Sequence, residues 1–405
     1  MAYRHLVRMK GTAEKVSTHV HFTWLRRRRK AKAMAAYATL AFASFIAVAS
    51  AQHPPDVSVK RATVPFPSAD LVLRDSSHKE PKSGVHLQGG QLTITSGVGT
   101  QTAINSLSFS GDGRILAAGK NFGRVVIWNV VEKKLLRAIA TNQGAISVVS
   151  VSPDGKSIAV AGNQDNYSVK IWDISTAELR WAFDQSKAPV DGLFFDADGK
   201  WLVVANNASN IYVVDTIEHN PVATLPGVHV AAMSADGQAL ITEDAKEFAV
   251  WSAPTWSRTQ GIPKWNKFSL LLAANPAKDQ IAVYESRSVR IAQISTAQVV
   301  LNRDDLVSKN FTWRPTFAAF SGDGSVLYLS LNDRLLVLST KSNDTCSGPV
   351  MYSGAAALSP DGRWFAGAKD DSILSKERTD GVWIWSSSKL LKNCGPAGSF
   401  QPEQQ

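Results

Sequence analysis

The sequence predicts an all-β fold, a seven-bladed β-propeller of four-stranded antiparallel blades. Three observations indicate it: a turn motif that recurs along the chain, an apolar strand pattern around each copy of the turn, and no amphipathic helix between the copies. Hydrophobic residues make up 44% of the 405 residues, and the mean hydropathy is −0.10. These values are typical of a soluble globular protein with a substantial core.

The recurring turn places a small residue and then Asp-Gly between two strands. It reads FSGDG, VSPDG, FDADG, MSADG, FSGDG and LSPDG, with NPAKDQ in the corresponding place between the fourth and fifth copies. Aspartate and glycine suit this turn because they tolerate the positive φ of tight hairpins. Successive aspartates are 38 to 44 residues apart, namely Asp112, Asp154, Asp198, Asp236, Asp279, Asp323 and Asp361. Seven units of this length predict seven blades.

The third strand of each unit is strongly apolar. The seven segments are VVIWN, VKIWD, IYVVD, FAVWS, VRIAQ, LLVLS and VWIWS. Valine, isoleucine and tryptophan suit a pleated, half-buried surface. Four short strands in each unit, without helices, fit a propeller blade and not a helical solenoid.

The segment VSPDGKSIAVAGNQDNYSVKIWD, residues 151–173, resembles a near-consensus unit of the WD-repeat family, and the resemblance extends over roughly residues 90 to 392. It implies a propeller that acts in scaffolding and protein recognition in general terms. The chain departs from the family pattern, because the Gly-His before the first strand is missing and the Asp-His-Ser-Trp tetrad is largely absent. The third-strand tryptophan is kept at Trp128, Trp172, Trp251 and Trp385. We therefore expect the blades to depend more on apolar packing.

Residues 1–51 are predicted to be a signal peptide or an N-terminal membrane anchor. The basic run RRRRKAK is followed by the uncharged segment of residues 34–51, which ends in Ala49-Ser50-Ala51. These are the three parts of a secretory signal peptide, so the protein resembles an exported WD-repeat protein of bacterial type, periplasmic or secreted, that begins near Gln52. About 18 apolar residues can also just span a bilayer. The membrane is therefore a partner only if residues 34–51 are retained.

The basic charge of the chain is concentrated in this N-terminal segment. The formal net charge is +10, and residues 1–51 hold ten of the 44 basic residues and one of the 34 acidic residues. The remaining 34 basic and 33 acidic residues nearly balance. The predicted domain therefore lacks the basic excess that phosphate neutralisation requires, and nucleic acid is not an expected partner.

The predicted domain is preceded by a linker and followed by a tail. Residues 52–88 contain five prolines and no sustained periodicity, so they are predicted to be a linker. Residues 57–66 could instead dock as a short extended segment. The propeller is predicted at 89–394 and a disordered tail at 395–405. An N-terminal strand commonly supplies the last outer strand in this family, which favours QLTIT at 91–95; the tail SSKLLKNC at 387–394 could take the same place.

Catalytic residues, cofactors and metals are not predicted. Of the eight histidines only His219 and His229 fall inside the blades, and neither has a partner at metal-ligand spacing. The motifs for haem attachment, for a serine nucleophile and for a phosphate loop do not occur. We therefore expect a protein that is not an enzyme. The alternative is a propeller enzyme of lactonase or quinoprotein type with a site at the central channel. The Asp-Gly turns are interpreted as hairpin caps and not as calcium ligands.

Two sets of residues are predicted to contact a protein partner of unknown identity. One set is the long charged loop between the second and third strands of the last blade, on the face opposite the Asp-Gly turns. The other consists of three tryptophans beside Arg or Lys in polar connections. A solvated loop, and aromatic rings folded back over a blade edge, are the alternatives. The residues are Lys369, Asp370, Asp371, Lys376, Glu377, Arg378 and Asp380 for the loop and Trp256, Trp265 and Trp313 for the connections.

The two cysteines, Cys346 and Cys394, could form a disulfide in an oxidising compartment. If an N-terminal strand closes the ring, the tail leaves from the face where Cys346 lies and can bring Cys394 within bonding distance. If the tail itself forms the last outer strand, Cys394 is carried to the opposite face.

Overall fold

Seven four-stranded antiparallel sheets form the blades of a closed ring, which confirms the predicted fold class. The computed structural model describes residues 69–75, 84–88, 91–95, 103–227, 231–234, 236–285, 288–304, 306, 315–331, 334–342, 344–350, 355–369, 381–392 and 394. The chain divides into two units, Met1–Thr63 and Val64–Gln405, and the propeller lies in the second.

The chain begins the ring with β1 (Leu71–Arg74), followed by a separate two-stranded sheet of β2 (Gly84–Gln88) and β3 (Gln91–Thr95). In blades one to six the strands follow one another from the channel outward. Blades one to three consist of β4 (Ile104–Phe109), β5 (Ile115–Lys120), β6 (Arg124–Asn129) and β7 (Lys134–Ala140); β8 (Ile146–Val151), β9 (Ser157–Gly162), β10 (Val169–Asp173) and β11 (Leu179–Phe183); and β12 (Val190–Phe195), β13 (Trp201–Asn206), β14 (Asn210–Asp215) and β15 (Pro221–Pro226).

Blades four to six consist of β16 (Ala231–Met233), β17 (Ala239–Glu243), β18 (Glu247–Ser252) and β19 (Ser257–Pro263); β20 (Leu270–Ala274), β21 (Gln280–Glu285), β22 (Ser288–Gln293) and β23 (Val299–Arg303); and β24 (Phe317–Phe320), β25 (Val326–Leu331), β26 (Arg334–Ser339) and β27 (Thr345–Val350). Blade seven combines β28 (Ala356–Leu358), β29 (Trp364–Lys369) and β30 (Gly381–Ser386) with β1, and α1 (Ser387–Lys392) follows β30.

The ring closes through an N-terminal strand, but not through the predicted one. β1 pairs with β30 from Leu71↔Ile384 to Arg74↔Gly381, whereas QLTIT forms β3 and pairs with β2. The prediction that QLTIT closes the ring is therefore wrong, and β1 comes from the segment that was predicted to be a linker. The segment LVLR can close the ring because its leucines alternate with exposed residues, and Leu73 is buried in the cluster between blades seven and one.

Buried ion pairs connect the closing strand to blade one. The carboxylate of Asp75 is 2% exposed, Nε of Arg124 donates to its Oδ2 at 2.9 Å, and Nζ of Lys120 lies 3.6 Å from the same oxygen. The indole N–H of Trp128 donates to the carbonyl of Arg74 at 3.2 Å. These contacts tie the outer strand of the last blade to the second and third strands of the first.

Apolar clusters between neighbouring blades form the core. Second and third strands are covered on both faces, so their sequences are continuous apolar runs. β13, for example, is buried at all six positions, and Leu202 on it packs with Ile171 of the preceding blade. Outer strands such as β7 are exposed at most positions. Turns, loops and outer edges are therefore the surfaces that remain for function.

The Asp-Gly turns cap their own hairpins, as predicted. In blade one the hydroxyl of Ser110 donates to Asp112 Oδ1 at 2.6 Å, the Arg114 N–H donates to the same oxygen at 3.0 Å, and Gly113 has φ +67°. The Ser-to-Asp bond recurs at Asp154, Asp236, Asp323 and Asp361. These carboxylates thus accept hydrogen bonds within their own turns.

The C-terminal segment is fastened to the ring on two sides. A disulfide joins Cys346 of β27 to Cys394, with their Cα atoms 5.0 Å apart. Leu390 of α1 is buried in the cluster between blades six and seven, and Nζ of Lys389 lies 2.7 Å from Asp70 Oδ1. Within the described ranges, no helix is long and apolar enough to cross a membrane.

Candidate functional site

The candidate site lies on the face that carries the Asp-Gly turns, here called the turn face, in grooves between neighbouring blades. One wall of each groove is the outer strand of a blade, and the other is the turn between the third and outer strands of the next blade. The first groove, between blades one and two, has a volume of about 430 Å³. The second groove, between blades two and three, has a volume of about 300 Å³.

The first groove has an apolar floor and basic side chains on its rim. Ile174 is a buried residue of the floor, and Leu136 on β7 is 40% exposed. The guanidinium of Arg137 donates to the carbonyl of Ser175 across the groove, and no carboxylate among the described residues pairs with it. Lys156 lies on the same rim. The groove therefore combines exposed apolar surface with a cation that can accept a carboxylate partner.

Arg180 lines both grooves and is held in place by Asp173. Its Nε donates to Asp173 Oδ2 at 3.2 Å, and the hydroxyl of Ser175 donates to Asp173 Oδ1 at 2.6 Å. Hydrogen bonds from Ser175 and then from Arg180 hold the pKa of Asp173 far below its usual range. The Asp173 carboxylate thus stays anionic at neutral pH and fixes the guanidinium at the junction of the grooves.

Aromatic rings line the second groove. The rings of Trp181 and His219 are stacked with centroids 4.7 Å apart and an angle of 18° between their planes. Phe195 and Asp198 complete this wall. His219 stands at the last position of the turn between the third and outer strands, with φ +58°. We call this place the turn-end position.

Trp256 occupies the turn-end position in blade four. It is 6% exposed, and its ring meets Trp201 of blade three edge-on, with centroids 5.7 Å apart. The prediction that Trp256 anchors a partner is corrected, because its indole already fills the space between blades three and four. The indole is thus folded back over a blade edge, which was the alternative interpretation in the sequence analysis.

Trp265 lies on the opposite face, in the connection between blades four and five. It is half-buried between the ring of Phe248, at a centroid distance of 6.4 Å, and the guanidinium of Arg290, 5.6 Å from the indole centroid. Phe268 in the same connection is 57% exposed, beside Lys267. Sequence reasoning missed Phe268, although KWNKFS shows an aromatic residue next to lysine.

Of the other predicted contacts, Lys369 alone lies within the described residues. Lys369 ends β29, where it pairs with Gly381. Trp313 and residues 370–380, with Asp370, Asp371, Lys376, Glu377, Arg378 and Asp380, lie outside the described residues. Within the described part of the chain, no three His, Cys, Asp or Glu side chains are arranged to hold a metal ion.

Sequence reasoning did not single out the groove residues. The outer strands KLLRAIA and LRWAF carry arginine and large apolar side chains at exposed positions, where an outer strand needs no apolar residue for its own stability. That pattern was the available signal for Leu136, Arg137 and Arg180.

Comparison with protein families matches one segment of the chain to a repeat family. Residues 133–173 match the family model WD40, described as WD domain, G-beta repeat. The segment runs from the last turn of blade one to the end of β10 and includes most of the first groove. No curated protein matches the chain. The match and the seven-bladed ring support a WD-repeat β-propeller, a fold that generally serves as a platform for protein interaction.

Proposed function

We propose that the protein is an exported platform that is not an enzyme and that binds protein partners through the two turn-face grooves of blades one to three. The observation that carries the proposal is the first groove, where exposed Leu136 adjoins Arg137, a cation without a carboxylate partner among the described residues. Arginine is enriched among the residues that contribute most to binding at protein interfaces, and pre-formed recesses that bind ligands are lined mainly by apolar side chains.

The rigidity of the ring supports binding at this place. The walls of the groove belong to blades whose inner strands contact each other and whose facing sheets share one apolar cluster. A partner would therefore meet side chains that are already ordered, and pre-organisation lowers the entropic cost of association.

Export is supported by the N-terminal segment and by the disulfide. Disulfides form and persist in oxidising compartments such as the periplasm or the cell exterior, and Cys346 is bonded to Cys394. Mass spectrometry of the mature N-terminus in the native host tests this part. A start near Gln52 indicates a periplasmic or secreted protein, whereas retention of residues 34–51 indicates a membrane-anchored one.

The charged loop of residues 369–380 is proposed as a second contact on the opposite face. Long charged loops on a rigid scaffold are common recognition elements. Replacing residues 370–380 with a two-residue Asn-Gly turn is compatible with the ladder pair of Lys369 and Gly381, so it is expected to weaken partner capture without unfolding the ring.

Cross-linking in the native host, followed by mass spectrometry, tests the groove. Leu136→Asp places a charge in the first groove, and Val222→Asp is the matched control, since Val222 holds the same position on β15 and is 43% exposed. A partner recovered with the wild type and Val222→Asp but lost with Leu136→Asp supports the proposal. Equal recovery with Leu136→Asp contradicts groove binding, and turnover of lactones or electron acceptors without any partner would favour an enzyme.

A further inference from the structure

The blades differ in the residue at the turn-end position, and this residue determines what lies between one blade and the next. In blades two, three and four the position is held by Ala177, His219 and Trp256, with φ +63°, +58° and +53°. In each of the three turns the N–H of this residue donates to the carbonyl four residues earlier. The three turns thus share this hydrogen bond and the positive φ at their last position, and the turn of blade four differs by a cis peptide bond between Ala253 and Pro254.

The space beside the turn differs between blades two, three and four. The first groove, on the turn that ends at Ala177, measures about 430 Å³, and the second groove, which His219 lines, measures about 300 Å³. Beside Trp256 the indole itself is buried against Trp201. Ala177 packs on the apolar cluster that contains Ile115, and Ile115 is the counterpart of Trp201 at the start of the second strand. The first groove therefore corresponds to the space that the indole of Trp256 fills between blades three and four, and in blade two the same position carries only the methyl group of Ala177.

The first groove also differs from the filled one in charge. Arg137 of blade one corresponds to Ala223 of blade three, because both pair with equivalent residues of the third strand. Lys156 corresponds to Gln238, since each follows the turn glycine. Arg137 and Lys156 thus replace two uncharged side chains around the space next to Ala177, and Lys156 lies 3.7 Å from Asp154 Oδ2. The anion in the lining, Asp173, replaces the uncharged Ser252 and is paired with Arg180. Arginine stacks on aromatic faces and pairs with carboxylates, so this change favours an aromatic group with acidic neighbours.

We propose that the first groove binds a tryptophan side chain of a partner protein, inserted between blades one and two as Trp256 is inserted between blades three and four, with carboxylates of the same segment facing Arg137 and Lys156. The inference deepens the proposed function and rests on it. It names the chemistry of the partner: an extended acidic segment with an exposed tryptophan.

A defined peptide tests the chemistry of the ligand. The probe is fluorescein-labelled Ser-Asp-Glu-Trp-Asp-Glu-Ser, titrated with the full-length exported protein and followed by fluorescence anisotropy at low salt. Three control peptides carry alanine or leucine in place of tryptophan, or lysine in place of all four acids. Loss of a buried aromatic anchor is expected to weaken binding at least about tenfold. Equal affinity for the alanine or leucine peptide would overturn the indole assignment, and equal affinity for the lysine peptide would overturn the charge assignment.

A variant that fills the groove from within tests its location. Ala177→Trp places an indole at the turn-end position, where blade four carries tryptophan with a similar positive φ. We expect it to abolish binding of the peptide while the melting temperature stays equal or rises. Ala177→Ser is the matched control that leaves the groove open and retains binding. A stable Ala177→Trp protein that still binds the peptide would contradict the location, and a clearly lowered melting temperature would contradict the analogy with Trp256.

The two proposals can fail separately. If the peptide does not bind but cross-linking of a partner still depends on Leu136, the platform stands and the tryptophan inference is wrong. If cross-linking does not depend on Leu136 and the peptide does not bind, both are wrong.

Discussion

Closure of the ring is expected to depend on one buried carboxylate, that of Asp75. The change we consider is Asp75→Asn, which preserves the shape of the side chain and removes its charge. Arg124 and Lys120 both face this carboxylate, at 2.9 and 3.6 Å, and the Lys120 side chain is only 3% exposed. The mutation therefore keeps two cations next to a strand that no longer carries the opposite charge.

The expected loss is large because the pair is buried. Removing one partner of a buried ion pair typically costs about 3–5 kcal/mol, whereas an exposed pair contributes about 0–1 kcal/mol. For a domain of this size each kcal/mol shifts the melting temperature by about 2 °C, so a decrease of about 6–10 °C is expected. Lys389→Ala is the control, because it breaks an ion pair with Asp70 whose side chains are 35% and 31% exposed. It should lower the melting temperature by about 2 °C or less.

Thermal unfolding followed by circular dichroism, with the disulfide kept oxidised, measures both variants. Hydrogen exchange adds a local test, because the amides of β1 that pair with β30 should exchange faster in Asp75→Asn and not in Lys389→Ala. If the two variants melted at the same temperature, or if exchange in β1 did not change, then Asp75 would not hold the closing strand and the reasoning would fail.

Three further predictions concern stability. Replacing both Cys346 and Cys394 with serine should lower the free energy of unfolding by about 4 kcal/mol in the chain-entropy model for a 48-residue separation, measured by urea titration, and the oxidised wild type should show no free thiol. Hydrogen bonds hold the pKa of Asp236 and of Asp173 below the usual value, so their contribution to stability is complete above about pH 4 and is lost as the pH falls through the folded pKa; the urea midpoint should decrease below pH 4. Burial, and then the charge of Asp198, raise the pKa of Asp196, so Asp196→Ser should raise the urea midpoint at pH 7. The gain should decrease as the pH falls through the folded pKa of Asp196 and should disappear below about pH 4, where the carboxyl is protonated in both the folded and the unfolded state.

The repeat of the fold was predictable because its signals are local. Each Asp-Gly turn contains its own hydrogen bonds, and each third strand is apolar because both of its faces are covered by neighbouring sheets. The altered turn at NPAKDQ could be placed from its spacing to the neighbouring turns, and in the structure the side chain of Asn275 accepts a hydrogen bond from the N–H of Ala277 there. The spacing of such local signals was enough to count seven blades.

The strand that closes the ring could not be predicted from local sequence in the same way. β1 has only four residues, and it pairs with β30 across more than 300 residues of sequence, for example Leu71 with Ile384. QLTIT offered a longer run with strong β propensity, but the propensity of an isolated segment does not specify its partner. The contacts that select β1 are the burial of Leu73 and the ion pairs of Asp75, and both are tertiary.

In the candidate site, too, some features follow from the local sequence and others depend on tertiary contacts. Trp256 and Trp265 have similar surroundings in sequence, yet one is buried against Trp201 and the other is half-buried beside Arg290. Burial of Trp256 depends on Trp201 of the preceding blade, and the sequence around Trp256 does not indicate this contact. The first groove could have been found only by aligning the turns and noticing that alanine stands where blade four has tryptophan.

Variation at the turn-end position explains how a ring of similar blades can acquire one specific binding place. The position carries Lys133, Ala177, His219, Trp256 and Ala297 in blades one to five, always with positive φ. The clusters between blades consist mainly of second and third strands, and this position adds to them, since Trp256 is a buried member of the cluster between blades three and four and Ala177 packs against the cluster between blades one and two. Specificity on such a scaffold therefore depends less on the blades themselves than on which grooves the chain fills with its own side chains and which it leaves open.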